Sequence, residues 1–260
     1  PNPPTRPHPP PPLPTPHPTP SAPRLRAFRE IKYDDYARAA FTAAQRRVID
    51  LELRDFKLGG VALEGADKDE YNSIQQELAK LSTKYSNNVL DATKAFKKLV
   101  TDPAVVEGLP PTALGLAAQQ ARQAGHADAT PESGPWLLTL DFPCYDPVMT
   151  HAKDRALREE MYRAYVTRAS TGESDNAPQI ERVLQLRKRK AELLGFESYA
   201  HLSMASKMAT LEEAERLLEE LRAASWDAAK RDLDEVRAFA AEHGSPDEAK
   251  DLLWWDVAYW

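Results

Sequence analysis

Six histidines, one cysteine and an adjacent pair of glutamates are the residues of this 260-residue chain from which catalysis would be built. A hydrolytic zinc carried on a helix needs two histidines at i and i+4 with a carboxylate between them. That spacing turns both imidazoles toward one ion and leaves the glutamate to activate water. No pair among His8, His17, His126, His151, His201 and His243 has it. His8 and His17 stand among prolines, and His126 and His243 stand beside glycines that end helices. His151 and His201 fall in helical contexts, where a surface or half-buried structural role outweighs ligation. Glu159 and Glu160 are neighbours, which on a helix face different directions. Arg155, Arg158 and Arg163 are within ion-pairing reach, so the pair reads as a solvated charged face. Cys144 follows Pro143 in an expected loop, with no histidine partner implied, so it is not an activated nucleophile. A GxSxG elbow and a phosphate-cradling glycine loop are both missing. Taken alone, the residues assign no catalytic, cofactor-binding or metal-binding position.

The bulk numbers fit a scaffold of helices. With 42% hydrophobic residues and 28% charged, the chain can build a sizeable core as one large domain or two ordinary ones. A net charge of −6 argues against nucleic acid as a partner, because phosphates need clustered lysine and arginine. No stretch approaches the roughly 20 apolar residues that cross a bilayer, so a soluble protein with no membrane partner is expected. The single cysteine makes no internal disulfide, and a reducing compartment is the simplest home.

Thirteen of the 22 prolines fall within residues 1–23. Proline fixes φ and lacks an N–H, so residues 1–24 are expected to be an extended or disordered leader or linker. Arg6-x-x-Pro9-x-x-Pro12 has the form of a proline-recognition ligand, a match that so proline-rich a run makes by chance. Four arginines and no acid precede Glu30, the charge pattern of an organelle transit peptide, although the proline density is atypical of one.

From Leu25 the period is helical nearly everywhere. Thr42-Ala-Ala-Gln45 is a capping box before a helix that stops at Gly59-Gly60, and Thr210-Leu-Glu-Glu213 is a second box before a long helix ending at Gly244. Tyr71, Ile74, Leu78, Leu81, Tyr85, Val89, Ala92, Phe96 and Leu99 step by three and four, which predicts one long helix from Asp67 to Val100 packed in a bundle. Further helices are expected at 112–123, 155–170 and 180–196. Trp136 to Phe142 is short, apolar and β-leaning, and predicts one strand for which no partner strand is visible. Residues 251–260, DLLWWDVAYW, crowd bulky apolar side chains where a solvated terminus is usually polar. Their packing partner lies either within the chain or outside it.

Motif order adds more. RRVIDLELRDFKLGGVAL, LSTKYSNNVLDATKAFKKLVTD, WLLTLDFPCYDPVMTHAKDRALREEMYRAYVTRAS, RKRKAELLGFESYAHLSMASKMA and WDVAYW closely resemble consecutive stretches of the oligopeptidase A and thimet oligopeptidase family of zinc metallopeptidases. The resemblance covers about residues 42 to 260. It implies a mostly α fold, in which residues 25–260 form a multi-helix lobe of long antiparallel helices with one short β segment at about 136–142. The family's catalytic HExxH helix and third zinc ligand lie C-terminal to everything matched, so none of its catalytic or metal residues maps onto this sequence. With Pro1 in place of a methionine and Trp260 where the family has a tyrosine, both ends are expected to be cuts in a longer chain.

The resemblance implies the N-terminal part of a zinc metalloendopeptidase that cleaves internal bonds of short peptides, working with a C-terminal catalytic domain. One catalytic zinc belongs to the complete enzyme, and none is expected on this stretch. The compartment is cytoplasmic, or the plastid stroma or mitochondrial matrix if the leader is a transit-peptide remnant. The alternative is a stand-alone, non-catalytic helical protein of that descent that binds peptides or partners.

Overall fold

The computed structural model describes residues 21–244 and 251–260. The Arg6–Pro12 ligand pattern and the leader as far as residue 20 lie outside the described residues. The architecture is mostly α, as the periodicity indicates. In chain order the helices are α1 (Ala22–Tyr33), α2 (Asp35–Ala40), α3 (Ala43–Leu58), α4 (Gly65–Ala95), α5 (Pro111–Gln123), α6 (Phe142–His151), α7 (Arg155–Val166), α8 (Ala177–Leu193), α9 (Tyr199–Met204) and α10 (Leu211–His243). Both capping boxes form. The Thr42 hydroxyl accepts from the Gln45 N–H while the Gln45 side chain accepts from the Thr42 N–H, and Thr210 and Glu213 do the same for α10.

Three expectations are corrected. The long helix ends at Ala95, not Val100. Phe96 is extended, and Lys98–Val100 forms strand β1, antiparallel to β2 (Trp136–Leu138) with Leu99 opposite Leu137. The strand at Trp136 therefore has its partner within this chain. Apolar steps of three and four hid the change, because Phe96 still packs against the core after the backbone has left the helix. Second, β2 stops at Leu138 and Phe142 opens α6 with Pro143 in its first turn, where a missing N–H costs nothing. Third, Cys144 therefore sits buried on a helix rather than in a loop.

The main core lies where α5, the β1–β2 ribbon, α6 and α7 meet, around Trp136, Leu138, Leu140, Val148, Leu157 and Met161. Ala117, Ala118 and Ala121 on α5 are fully buried and let that helix approach β2 closely. Gly108 joins this core to the end of α6. Its φ of +94° and the His151 carbonyl oxygen, which an added Cβ would strike, leave room only for glycine. A smaller cluster holds Tyr71 of α4 against Ala191, Leu194 and Leu202.

Candidate functional site

The histidines do not converge. His126 follows α5, His151 ends α6, His201 accepts or donates a 2.9 Å hydrogen bond with Ser198 Oγ in α9, and His243 stacks on Phe239. Among the described residues no three of His, Cys, Asp and Glu are placed to hold a metal ion. The described residues therefore do not fit a catalytic zinc. Glu159 pairs with Arg163 one turn on, as the spacing predicts, whereas Glu160 reaches across to Lys98 of β1 at 2.7 Å. Burial pushes the Cys144 thiol up, against the hydrogen bond its sulfur accepts from the Thr139 N–H. That is the setting of an inert thiol.

Two arrangements stand out instead. The first explains the aromatic ending. Arg155 and Arg158 turn away from Glu159 and Glu160 toward Asp256, a correction to the pairing expected from helix spacing. Arg155 Nη2 lies 2.7 Å from Asp256 Oδ2, and Arg158 Nη2 lies 2.9 Å from Oδ1. Arg158 and Asp256 are both fully buried. Arg158 also donates to the carbonyls of Ala152 and Trp255, and its guanidinium lies 4.0 Å from the centre of the Tyr259 ring. Burial alone would raise the Asp256 carboxyl. The hydrogen bonds from Arg155, Arg158 and the Leu253 N–H outweigh it and hold the group below its ordinary value. Trp255 is buried against Tyr162, with Arg163 over its indole face. Trp260 meets Phe239 of α10, while Trp254 stays exposed. For Trp255, Asp256, Tyr259 and Trp260, then, packing partners lie within this chain.

The second arrangement is a cleft of about 590 Å³ between α4 and α8. The two helices run antiparallel, since Glu70 pairs with Arg189, Glu77 with Arg182 and Asn88 with Asn176. Those pairs zip one edge of the contact. The other edge opens over Leu78, Leu81, Ile180 and Val183, rimmed by Tyr85, Tyr199, Arg187 and Lys190. Neither arrangement was singled out as a site from the sequence. The arginines of α7 at i and i+3 and the aspartate of WDVAYW were visible there, but nothing in the spacing joins them.

The described residues thus form a mostly α-helical lobe with a buried ion cluster and an open interhelical cleft. Its relatives are specific. The pattern of peptidase family M3 matches residues 148–260, a span that contains Arg155, Arg158, Asp256 and the α8 wall of the cleft. The probable cytosolic oligopeptidase A of Arabidopsis thaliana is 53% identical over 221 residues, which is 85% of this chain and 31% of that protein. The chloroplastic/mitochondrial organellar oligopeptidase A of the same plant is 50% identical over 241 residues, 92% of this chain and 30% of the relative. Oligopeptidase A of Salmonella typhimurium is 43% identical over 243 residues, 90% and 34% of the two chains. The chain belongs to the oligopeptidase A and thimet oligopeptidase family. It spans about a third of the length of the curated relatives it matches. No helix among the described residues is long and apolar enough to cross a membrane.

Proposed function

We propose that this chain supplies the helical N-terminal lobe of a zinc-dependent oligopeptidase that hydrolyses internal bonds of short peptides. The observation that carries the reading is ordered identity of 43–53% with oligopeptidases A along most of the chain. Its part is positional: α4 and α8, with Tyr199 of α9, line a cleft open to peptides, and the cluster of Arg155, Arg158 and Asp256 fixes the route of residues 251–260. The 260 residues by themselves hold no catalytic zinc and cleave nothing, a reading supported by histidine spacings that offer no paired ligands. The compartment follows its relatives, either cytosol or organelle interior.

A chimera tests this. The segment of the cytosolic relative that this chain matches, 31% of its length, is replaced by the corresponding residues of this chain, and an internally quenched short peptide is the substrate. The folded chimera is expected to cleave it in a zinc-dependent way, while the 260-residue chain gives no cleavage. A folded but inactive chimera, or zinc-dependent cleavage by the chain alone, would overturn the reading.

A further inference from the structure

Among the described residues, the cleft between α4 and α8 is lined by cations with no carboxylate beside them. On the zipped edge of the same helix pair every arginine is matched: Arg182 Nε lies 2.7 Å from Glu77, and Arg189 Nε lies 2.7 Å from Glu70. On the open edge the residues lining the cleft include two cations and no carboxylate, in a chain whose net charge is −6. Arg187 lies over the Tyr199 ring at 5.0 Å, and Lys190 donates to the Gln75 amide oxygen at 2.9 Å. They stand three residues apart on α8, a spacing at which like charges repel. Burial, and then the Arg187 charge, push the Lys190 ammonium down from its ordinary value. Beneath them the cleft floor is apolar. Ile180 is 47% exposed and Tyr85 43%, although Ile180 directly follows the buried Gln179.

From this charge complementarity we infer that the α4–α8 cleft is a binding site for short acidic peptides. A carboxylate bridges Arg187 and Lys190, and an adjacent apolar side chain rests on Leu78, Leu81 and Val183. A carboxylate between the two cations removes their mutual repulsion and completes the hydrogen bonding of both, an interaction stronger than a neutral hydrogen bond. The apolar floor supplies the area, and the tyrosines at the rim offer ring faces to the peptide. The choice of a peptide over another anion rests on the oligopeptidase reading. The site itself rests on the cleft.

The test is isothermal titration of the full 260-residue chain with an acetylated pentapeptide, Ala-Leu-Phe-Ala-Glu, bearing a free C-terminus. Its counterpart carries glutamine and a C-terminal amide in place of the two carboxylates. The acidic peptide is expected to bind about tenfold more tightly than the neutral one. The double variant Arg187→Gln/Lys190→Gln is expected to erase that preference, and Arg182→Gln/Arg189→Gln on the opposite edge to preserve it. Circular dichroism reports whether each variant folds. If the cleft variant does not fold, the two peptides on the wild-type chain still decide. Equal affinity for both peptides, no binding up to millimolar concentration, or an acidic preference that survives in a folded cleft variant would each overturn the site. Those results leave the chimera assay, and with it the peptidase reading, unaffected.

Discussion

Arg158 Nη2 and Asp256 Oδ1 lie 2.9 Å apart with neither residue reached by solvent, 98 positions apart in the chain. One pair thus fastens residues 251–260 onto α7. Both ions have surrendered their hydration, so their pairing is stabilising only while both remain. Asp256→Ala leaves Arg158 charged and buried, and is expected to cost about 3–5 kcal/mol of unfolding free energy. Urea denaturation followed by tryptophan fluorescence reads it. A loss below about 1 kcal/mol would show that Arg158 finds equal solvation elsewhere.

The same carboxyl sets an acid limit. Its folded pKa lies below the ordinary value of 3.8, so its contribution is fully present above that value and is lost as pH falls through the folded pKa. Stability curves from pH 6 to pH 2 are expected to show a steeper acid decline for the wild-type chain than for Asp256→Asn. Parallel curves would contradict the assignment.

Gly108 is held against the end of α6 at φ +94°, and an added Cβ would clash with the His151 carbonyl oxygen. Gly108→Ala is therefore expected to lose more than about 2 kcal/mol, from left-handed strain together with displacement of backbone. Thermal melting measures this, with Gly125→Ala as comparison. Gly125 shares a positive φ, but a Cβ there meets nothing within 4 Å.

Thr210 closes the capping box of α10, a helix whose residues are largely exposed and which gains little from burial. Thr210→Ala is expected to cost about 1 kcal/mol and to speed amide exchange in the first turn of α10. Unchanged exchange at Glu212 and Glu213 would show that the helix start is held by other contacts.

Cys144 is buried with its thiol pushed up by desolvation. At pH 8 its reaction with a disulfide reagent is expected to run at least about a hundredfold slower in the native chain than in urea. A native rate equal to the unfolded one would place the sulfur at the surface.

Much of the fold was legible from local chemistry. The Thr42 and Thr210 boxes, the stop at Gly59 and the amphipathic runs of α4, α8 and α10 depend on residues within four positions of each other. They read correctly because those hydrogen bonds close locally. The misreadings share a different cause. Phe96 and Leu99 keep the helical apolar period although the backbone has left the helix at Phe96 and is a strand at Leu99. Only the β2 residues some 40 positions later decide the change. Proline at position 143 reads as a strand stop but serves equally as a helix start.

The candidate site divides in the same way. The sequence by itself determined the family, the helical class and the absence of an i, i+4 histidine pair, because these are properties of order and spacing along one chain. Tertiary structure alone decided that Arg155 and Arg158 leave their own helix face for Asp256. It also decided that α8 spends Arg182 and Arg189 on α4 while Arg187 and Lys190 face an open cleft. A guanidinium pairs with whichever carboxylate the packed backbone brings within about 3 Å. Helix spacing names the candidates, but the antiparallel docking of α4 on α8 and the return of residues 251–260 to α7 select among them.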